Sequence, residues 1–220
     1  MLGQNFNDLG SYIDFLDKIG DLKRISTEVD PELEISEISS KTIEDNGPAL
    51  LFENVKGSSF PVATNLFGSE ERLRVSLGCN PKELGEEILS FAEKAMPPKL
   101  DNLFKSFPFI KRLTNFRSKE QAFNSPCQQI QDEITLEDLP IIKCWPEDGG
   151  KFITMGLTIT ESPISKKPNM GMYRLQMHDK ERLGMHWHPH KGGATHYHEA
   201  RQLGQDFPAA IVLGGGPSLI

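Results

Sequence analysis

The sequence predicts an α/β protein in the broad α+β sense, with a mixed α/β segment first and a mainly antiparallel β segment second. Three observations predict it. Over the first part of the chain, helical apolar spacings alternate with short β-prone runs, as in Leu9, Tyr12, Ile13, Leu16 and Ile19 ahead of Leu22. In the second part, period-two runs rich in Thr, Ile and Phe take over, beginning with Lys151 to Ser162. From Pro97 to Ser125 the pattern loosens, which marks a domain boundary. The expected division is therefore 1–110, a linker over 111–125, and a second domain over 126–220.

Each element follows from local chemistry. Asn7 can cap a first helix that Gly20 stops, and Leu22 to Ser26 follows as a strand. A second helix is expected from Pro31 to Glu44, closed by Asn46-Gly47. Ala49 to Phe52 and Pro61 to Thr64 are compact strands. Ser69 opens a short helix ending near Gly78. Asn80-Pro81-Lys82-Glu83 then combines an N-cap, a first-turn proline and a capping-box glutamate, starting a helix that must end before Pro97-Pro98. In the second half, Lys151 to Ser162, Met170 to Met177 and Leu183 to Trp187 read as strands. Thr195 to Leu203 reads as a helix capped by Thr195 and closed by Gly204, and Phe207 to Leu213 as a buried strand. Pro217 to Ile220 resembles a helix start with nothing after it, so a truncated chain is expected.

Composition excludes several classes. A net charge of −7 leaves no basic surplus for general nucleic-acid binding, and Lys111-Arg112 and Lys166-Lys167 read as solvated loop charges. No apolar run approaches the ~20 residues that span a bilayer, and the N-terminus lacks the pattern of a secretory signal. Three widely spaced cysteines, Cys79, Cys127 and Cys144, read as free buried thiols in a reducing compartment, and a cytoplasmic location is expected.

The chemistry concentrates in one stretch. All six histidines fall between His178 and His198, just after Asn169-Met170-Gly171-Met172-Tyr173-Arg174. Asn169 and His190 are the pair assigned to metal, since an amide oxygen with one imidazole suits Mn2+ or Mg2+ better than Zn2+. A carboxylate and a phosphate would have to complete such a site. The alternative is that Asn169 caps a turn after Pro168 and His190 sits on a surface loop. Met172, Tyr173 and Arg174 follow at a strand edge, where Arg174 could clamp a carboxylate or phosphate; otherwise it is an exposed strand arginine. His186 and His188 alternate about Trp187, placing two imidazoles on one side of a strand and the indole, read as core packing, on the other. Lys191-Gly192-Gly193 can bring a cation and two unhindered amides against a phosphate. His178, His196 and His198 are read as bystanders. A cupin-type metal site is unfavoured, because the carboxylate following His186 and His188 is Glu199, which comes too late.

NMGMYRLQ, MHWHPHKGGA and FPAAIVLGGGP, in that order, resemble the UbiD family of prenylated-FMN-dependent decarboxylases. DGGKFITMGLTITESP resembles the strand leading into the same site, and GDLKRISTEVDPELEISEI resembles the N-terminal domain of that family. The resemblance implies a mixed α/β N-terminal domain followed by a split β-barrel flavin-binding domain, and a cytoplasmic carboxy-lyase acting on aromatic or α,β-unsaturated acids. It implies that Asn169 and His190 hold Mn2+, with K+ as an optional companion, and that the metal ties down the cofactor phosphate. Met172, Tyr173, Arg174, His186, Trp187, His188, Lys191 and Gly192 would line prenylated FMN, and Arg174 would also approach the substrate carboxylate. The cofactor would supply the electrophilic carbon and electron sink that side chains lack. A flavin prenyltransferase would be its supplier, and the full-length protein would be a homo-oligomer.

The HWH variant and the N-terminal segment resemble the bacterial quinone-pathway branch, which implies 4-hydroxy-3-polyprenylbenzoate or a related ubiquinone or menaquinone precursor as substrate. The family's third metal ligand, a glutamate, and its proton-handling acid would lie beyond Ile220. The chain would then hold half an active site, which puts catalysis by the 220 residues alone in doubt. A non-catalytic flavin- or metal-binding module on the same barrel, or a split-barrel flavin reductase, are the rival readings.

Overall fold

The computed structural model describes residues 6–95 and 125–220. The predicted linker and its Lys111-Arg112 pair lie outside those residues. The fold is mixed α/β. In the first half, α1 (Leu9–Lys18), β1 (Leu22–Ile25), α2 (Glu34–Glu44), β2 (Ala49–Phe52), β3 (Val62–Thr64), α3 (Glu70–Leu77) and α4 (Pro81–Ala95) follow in order. β2 is the middle strand of three, parallel to β1 and antiparallel to β3. A parallel pair needs a crossover, and α2 provides it.

All four β2 residues are buried, because the sheet is covered on both faces. Ala49 packs with Tyr12, Leu16, Leu66 and Val75 on one side. Leu50 and Phe52 pack with Val29, Ile35 and Val55 on the other. Tyr12 is fully buried, and its hydroxyl donates to the carbonyls of Leu66 (2.9 Å) and Arg72 (3.0 Å). Burial pushes its phenol up to about 12.

The helix ends obey their caps with two adjustments. Ser69 and a left-handed Gly78 bound α3, and Asn80 caps α4, as expected. The cap of α1 is Asp8 rather than Asn7, its carboxylate accepting the Ser11 N–H at 2.7 Å. Helix α2 starts at Glu34, not Pro31, because residues 31–33 are taken by a tertiary pairing. Glu32 bridges Lys143, Lys143 N–H donates to Pro31 O, and Leu33 N–H donates to Lys143 O with φ at 69°. With the Leu9 N–H to Gly214 O bond and Ile142 packed beside Val29 and Phe52, this stitches the two halves together.

In the second half, a 3-10 turn (Pro126–Gln128) precedes β4 (Phe152–Ile153), β5 (Leu157–Glu161), β6 (Pro168–Met172), β7 (Leu175–Met177), β8 (Leu183–Met185), α5 (Gly192–Leu203) and β9 (Ala209–Val212). The strands form two antiparallel sheets, β4-β7-β8 and β6-β5-β9, with one helix inserted before the last strand.

Two expected strands are each divided between the sheets. Lys151 to Ser162 breaks into β4 and β5, and Met170 to Met177 breaks into β6 and β7. Ile153 pairs with Leu175 and Leu157 with Met172, so three residues (Thr154, Met155, Gly156) oppose two (Tyr173, Arg174). That mismatch is a bulge, which bends a ladder and re-aims its side chains. A Cβ on Gly156 would press on the side chains of Leu175, Ile153 and Ile211 at 3.1–3.2 Å, so the bend packs tightly around this glycine.

Further corrections concern ends and burial. β8 stops at Met185, leaving His186-Trp187-His188 outside the strand, although the in-out alternation persists with both imidazoles exposed. α5 begins at Gly192 rather than Thr195, whose N–H already bonds Lys191 O. β9 is largely exposed rather than buried, being an edge strand. Pro217 to Leu219 is a turn closed by Leu219 N–H to Gly216 O. The three cysteines are free, but Cys127 is exposed and Cys79 and Cys144 are only half-buried. Among the described residues no helix is long and apolar enough to cross a membrane.

Candidate functional site

The break between β6 and β7, opposite the bulge, sorts the candidate residues into two neighbouring groups. On β6, Asn169 and Gly171 face α5, while Met170 and Met172 face the other way and are exposed. Beyond the break Tyr173 is buried and Arg174 is exposed.

The first group surrounds the N-terminus of α5. Lys191 occupies the cap position but makes no side-chain cap. Instead the Tyr173 hydroxyl accepts the Gly193 N–H at 3.0 Å, satisfying one of the donors that a helix start leaves open. Trp187 meets Tyr173 edge-to-face at 4.9 Å and stacks on Tyr197 at 6.1 Å, which supports its reading as packing. A Cβ on Gly193 would collide with the Trp187 ring and the Tyr173 hydroxyl, so glycine is required by close approach. A Cβ on Gly192 would collide with Asn169 Oδ1. Asn169 is thereby brought against the helix start, while its Nδ2 is buried with no hydrogen-bond partner among the described residues.

His188 and His190 lie on the loop feeding α5. Their rings are 5.7 Å apart and both are exposed, and Lys191 N–H bonds back to His188 O. Lys191 is exposed and forms no ion pair among the described residues. No cluster of three or more His, Cys, Asp or Glu able to hold a metal is found among the described residues. What the described residues present here is therefore one amide, two exposed imidazoles and a glycine-lined helix start. The buried Asn169 Nδ2 donor, without a partner among the described residues, and the two side-chain-free positions fit a phosphate oxygen, while Asn169 Oδ1 is the atom that could meet a hard cation.

The second group centres on Arg174. His186 N–H continues the ladder to Arg174 O at 3.2 Å, and His186, Arg174, Phe152, Gln176, Gly184 and Met185 line a cavity of about 400 Å³. The guanidinium carbon lies 3.8 Å from the centre of the Phe152 ring, and Nη2 donates to both Asp148 oxygens at 3.1 Å. Sequence reasoning missed Asp148 and Phe152 as partners. The only local sign was their place in DGGKF, upstream of the strand.

His196, read as a bystander, and Glu199, too late in the chain for a cupin-type site, hold α5 in place. His196 is buried with Nδ1 3.1 Å from Thr160 Oγ1, and Glu199 accepts the buried Ser162 hydroxyl at 2.6 Å. His178 and His198 are exposed.

The 3-octaprenyl-4-hydroxybenzoate carboxy-lyase N-terminal domain matches residues 13–92, and the carboxy-lyase Rift-related domain of the same family matches residues 118–220. The UbiD-class enzyme HmfF from Pelotomaculum thermopropionicum, in complex with FMN, is 27% identical with a TM-score of 0.75, over 96% of this chain and 43% of that one. An evolved dimeric form of the same enzyme, in complex with prFMN, is 26% identical with a TM-score of 0.74, over 96% and 45%. Vanillic acid decarboxylase of Sedimentibacter hydroxybenzoicus in closed form shares the fold, at 24% identity and a TM-score of 0.77, over 99% and 44%. The chain spans less than half the length of each of these structures. With both family domains matched in order over most of its residues, the chain belongs to the UbiD family.

Proposed function

We propose that this chain forms the cofactor-binding half of a UbiD-type carboxy-lyase that removes CO2 from an aromatic or α,β-unsaturated acid. The domain division at 1–110, 111–125 and 126–220 belongs to the same reading. Bound prenylated FMN would supply the electrophilic carbon and electron sink for the reaction. Asn169 and His190 would hold Mn2+, with K+ as an optional companion, against the cofactor phosphate. Lys191 and the Gly192 amide would meet that phosphate at the start of α5, the Gly193 N–H being taken by Tyr173. Met172, Tyr173, His186, Trp187 and His188 would line the cofactor, with Tyr173 and Trp187 doing so by shaping the wall behind Gly193.

Arg174 would orient the substrate carboxylate, which is the positioning step that CO2 loss requires. The substrate we propose is 4-hydroxy-3-polyprenylbenzoate or a related quinone precursor, in a cytoplasmic homo-oligomer served by a flavin prenyltransferase. The single observation that carries the reading is the Asn169 Nδ2 donor, buried with no hydrogen-bond partner among the described residues, against a helix start whose first two residues are glycines, where an anionic oxygen would satisfy it.

The test is co-expression with a flavin prenyltransferase in Mn2+, followed by the absorbance spectrum and the mass of any released cofactor. Prenylated FMN retained by the wild type and lost in Asn169→Ala and His190→Ala is the expected result. Equal retention in all three proteins would refute the site.

A further inference from the structure

We propose that Asp148 is a positioning residue for Arg174, fixing its guanidinium so that Nε and Nη1 are presented to a carboxylate ligand. The proposal rests on the reading of Arg174 as the clamp for an organic acid. An exposed arginine ordinarily samples many rotamers and loses side-chain entropy when it is fixed. The Arg174 side chain is 44% exposed yet restrained at three places. Its backbone is pinned between buried Tyr173 and Leu175, its face lies on Phe152, and Nη2 is engaged by both oxygens of Asp148.

Asp148 is itself held. Its Oδ2 accepts the Trp145 N–H at 3.2 Å and its own N–H donates to Trp145 O at 3.1 Å, closing the turn on both sides. One residue on, Gly149 O accepts Gln176 Nε2 at 3.0 Å. The turn is therefore tied to Arg174 and to Gln176, two residues apart on one face of the strand. No hydrogen bond engages Nε or Nη1 of Arg174 among the described residues. Those donors remain for a ligand in the cavity of about 400 Å³ that Arg174 lines, a size that suits a small aromatic acid.

Electrostatics alone would predict the opposite role. A carboxylate beside an arginine repels an incoming anion, so its removal should strengthen anion binding. Positioning predicts that removal weakens it, and the sign of the change decides.

The experiment titrates benzoate and benzamide into the full chain by ligand-observed NMR, in wild type, Asp148→Asn and Asp148→Ala. Wild type is expected to prefer benzoate. Asp148→Ala should lose about tenfold in benzoate affinity, the scale of one oriented charged contact, and Asp148→Asn less, with benzamide unchanged. The Arg174 Nη resonances, assigned with Arg174→Lys, should be separate in wild type at low temperature and merged in Asp148→Ala. Unchanged or tighter benzoate binding in either variant, no benzoate preference in wild type, or a freely rotating Arg174 in wild type would each overturn the proposal. Failure of the cofactor reading is distinguishable, because it shows as absent flavin retention while the benzoate response persists.

Discussion

The Tyr173 hydroxyl accepts the Gly193 backbone N–H at 3.0 Å, so a residue at the end of one sheet caps the helix that opens the candidate phosphate site. This bond joins the bulge to the helix start and makes their geometry a single unit. Tyr173→Phe should leave that N–H buried without a partner and destabilise the protein by about 1–2 kcal/mol in urea unfolding. Gly193→Ala should cost more, about 1–3 kcal/mol, because its Cβ would strike the Trp187 ring. A Gly193→Ala protein as stable as wild type would contradict the close approach.

Gly192→Ala separates stability from binding. Alanine favours a helix by up to about 1 kcal/mol over glycine, yet its Cβ would occupy the place of Asn169 Oδ1. The expected variant unfolds within about 1 kcal/mol of wild type but no longer retains flavin in Mn2+. Full retention would show that Asn169 and the helix start need not be in contact.

Ser162 and Glu199 dock α5 onto β5 through a bond of 2.6 Å, with Ser162 itself buried. A hydrogen bond to a charged group contributes about 1.5–3 kcal/mol, so Ser162→Ala should lower stability by that order. Ser162→Ala and Glu199→Gln should be strongly non-additive in a double-mutant cycle. Simple additivity would mean that the contact contributes nothing.

Tyr12 gives an alkaline transition with a definite sign. Its folded pKa, about 12, lies above the ordinary phenol value of 10.0, because burial disfavours the phenolate. A raised pKa gives stability that is full below pH 10.0 and is lost as pH rises toward 12. The loss should be on the order of 2–3 kcal/mol. Urea unfolding of wild type and Tyr12→Phe between these limits checks it: the variant should be less stable at neutral pH and should lack this part of the alkaline decline. Parallel declines in both proteins would assign the loss to other groups.

Much of the first half was legible because its signals are local. Ser69 with Gly78, and Asn80 with Pro81 and Glu83, act within one turn of the elements they bound, and the structure keeps both helices. The α2 start was misjudged because Pro31 and Leu33 bond to Lys143, more than a hundred positions away. In the candidate site, clustering along the chain was enough to mark Asn169, Arg174 and His186 to Gly192. Their division around two neighbouring features was not legible, since a bulge is defined by the partner strand. Asp148 was passed over because its meaning lies in a contact with a residue 26 positions further on.

The sequence by itself determined the mixed α/β class, the family and the stretch that holds the candidate site residues, because periodicity, caps and a linear motif are all written in neighbouring residues. Tertiary structure alone decided that two expected strands each serve two sheets, that Tyr173 turns inward to cap α5, and that Arg174 turns outward onto Asp148 and Phe152. The reason is physical. Strand pairing and side-chain docking are settled by which distant surfaces can be buried together, and a one-residue mismatch between paired strands redirects every side chain that follows it.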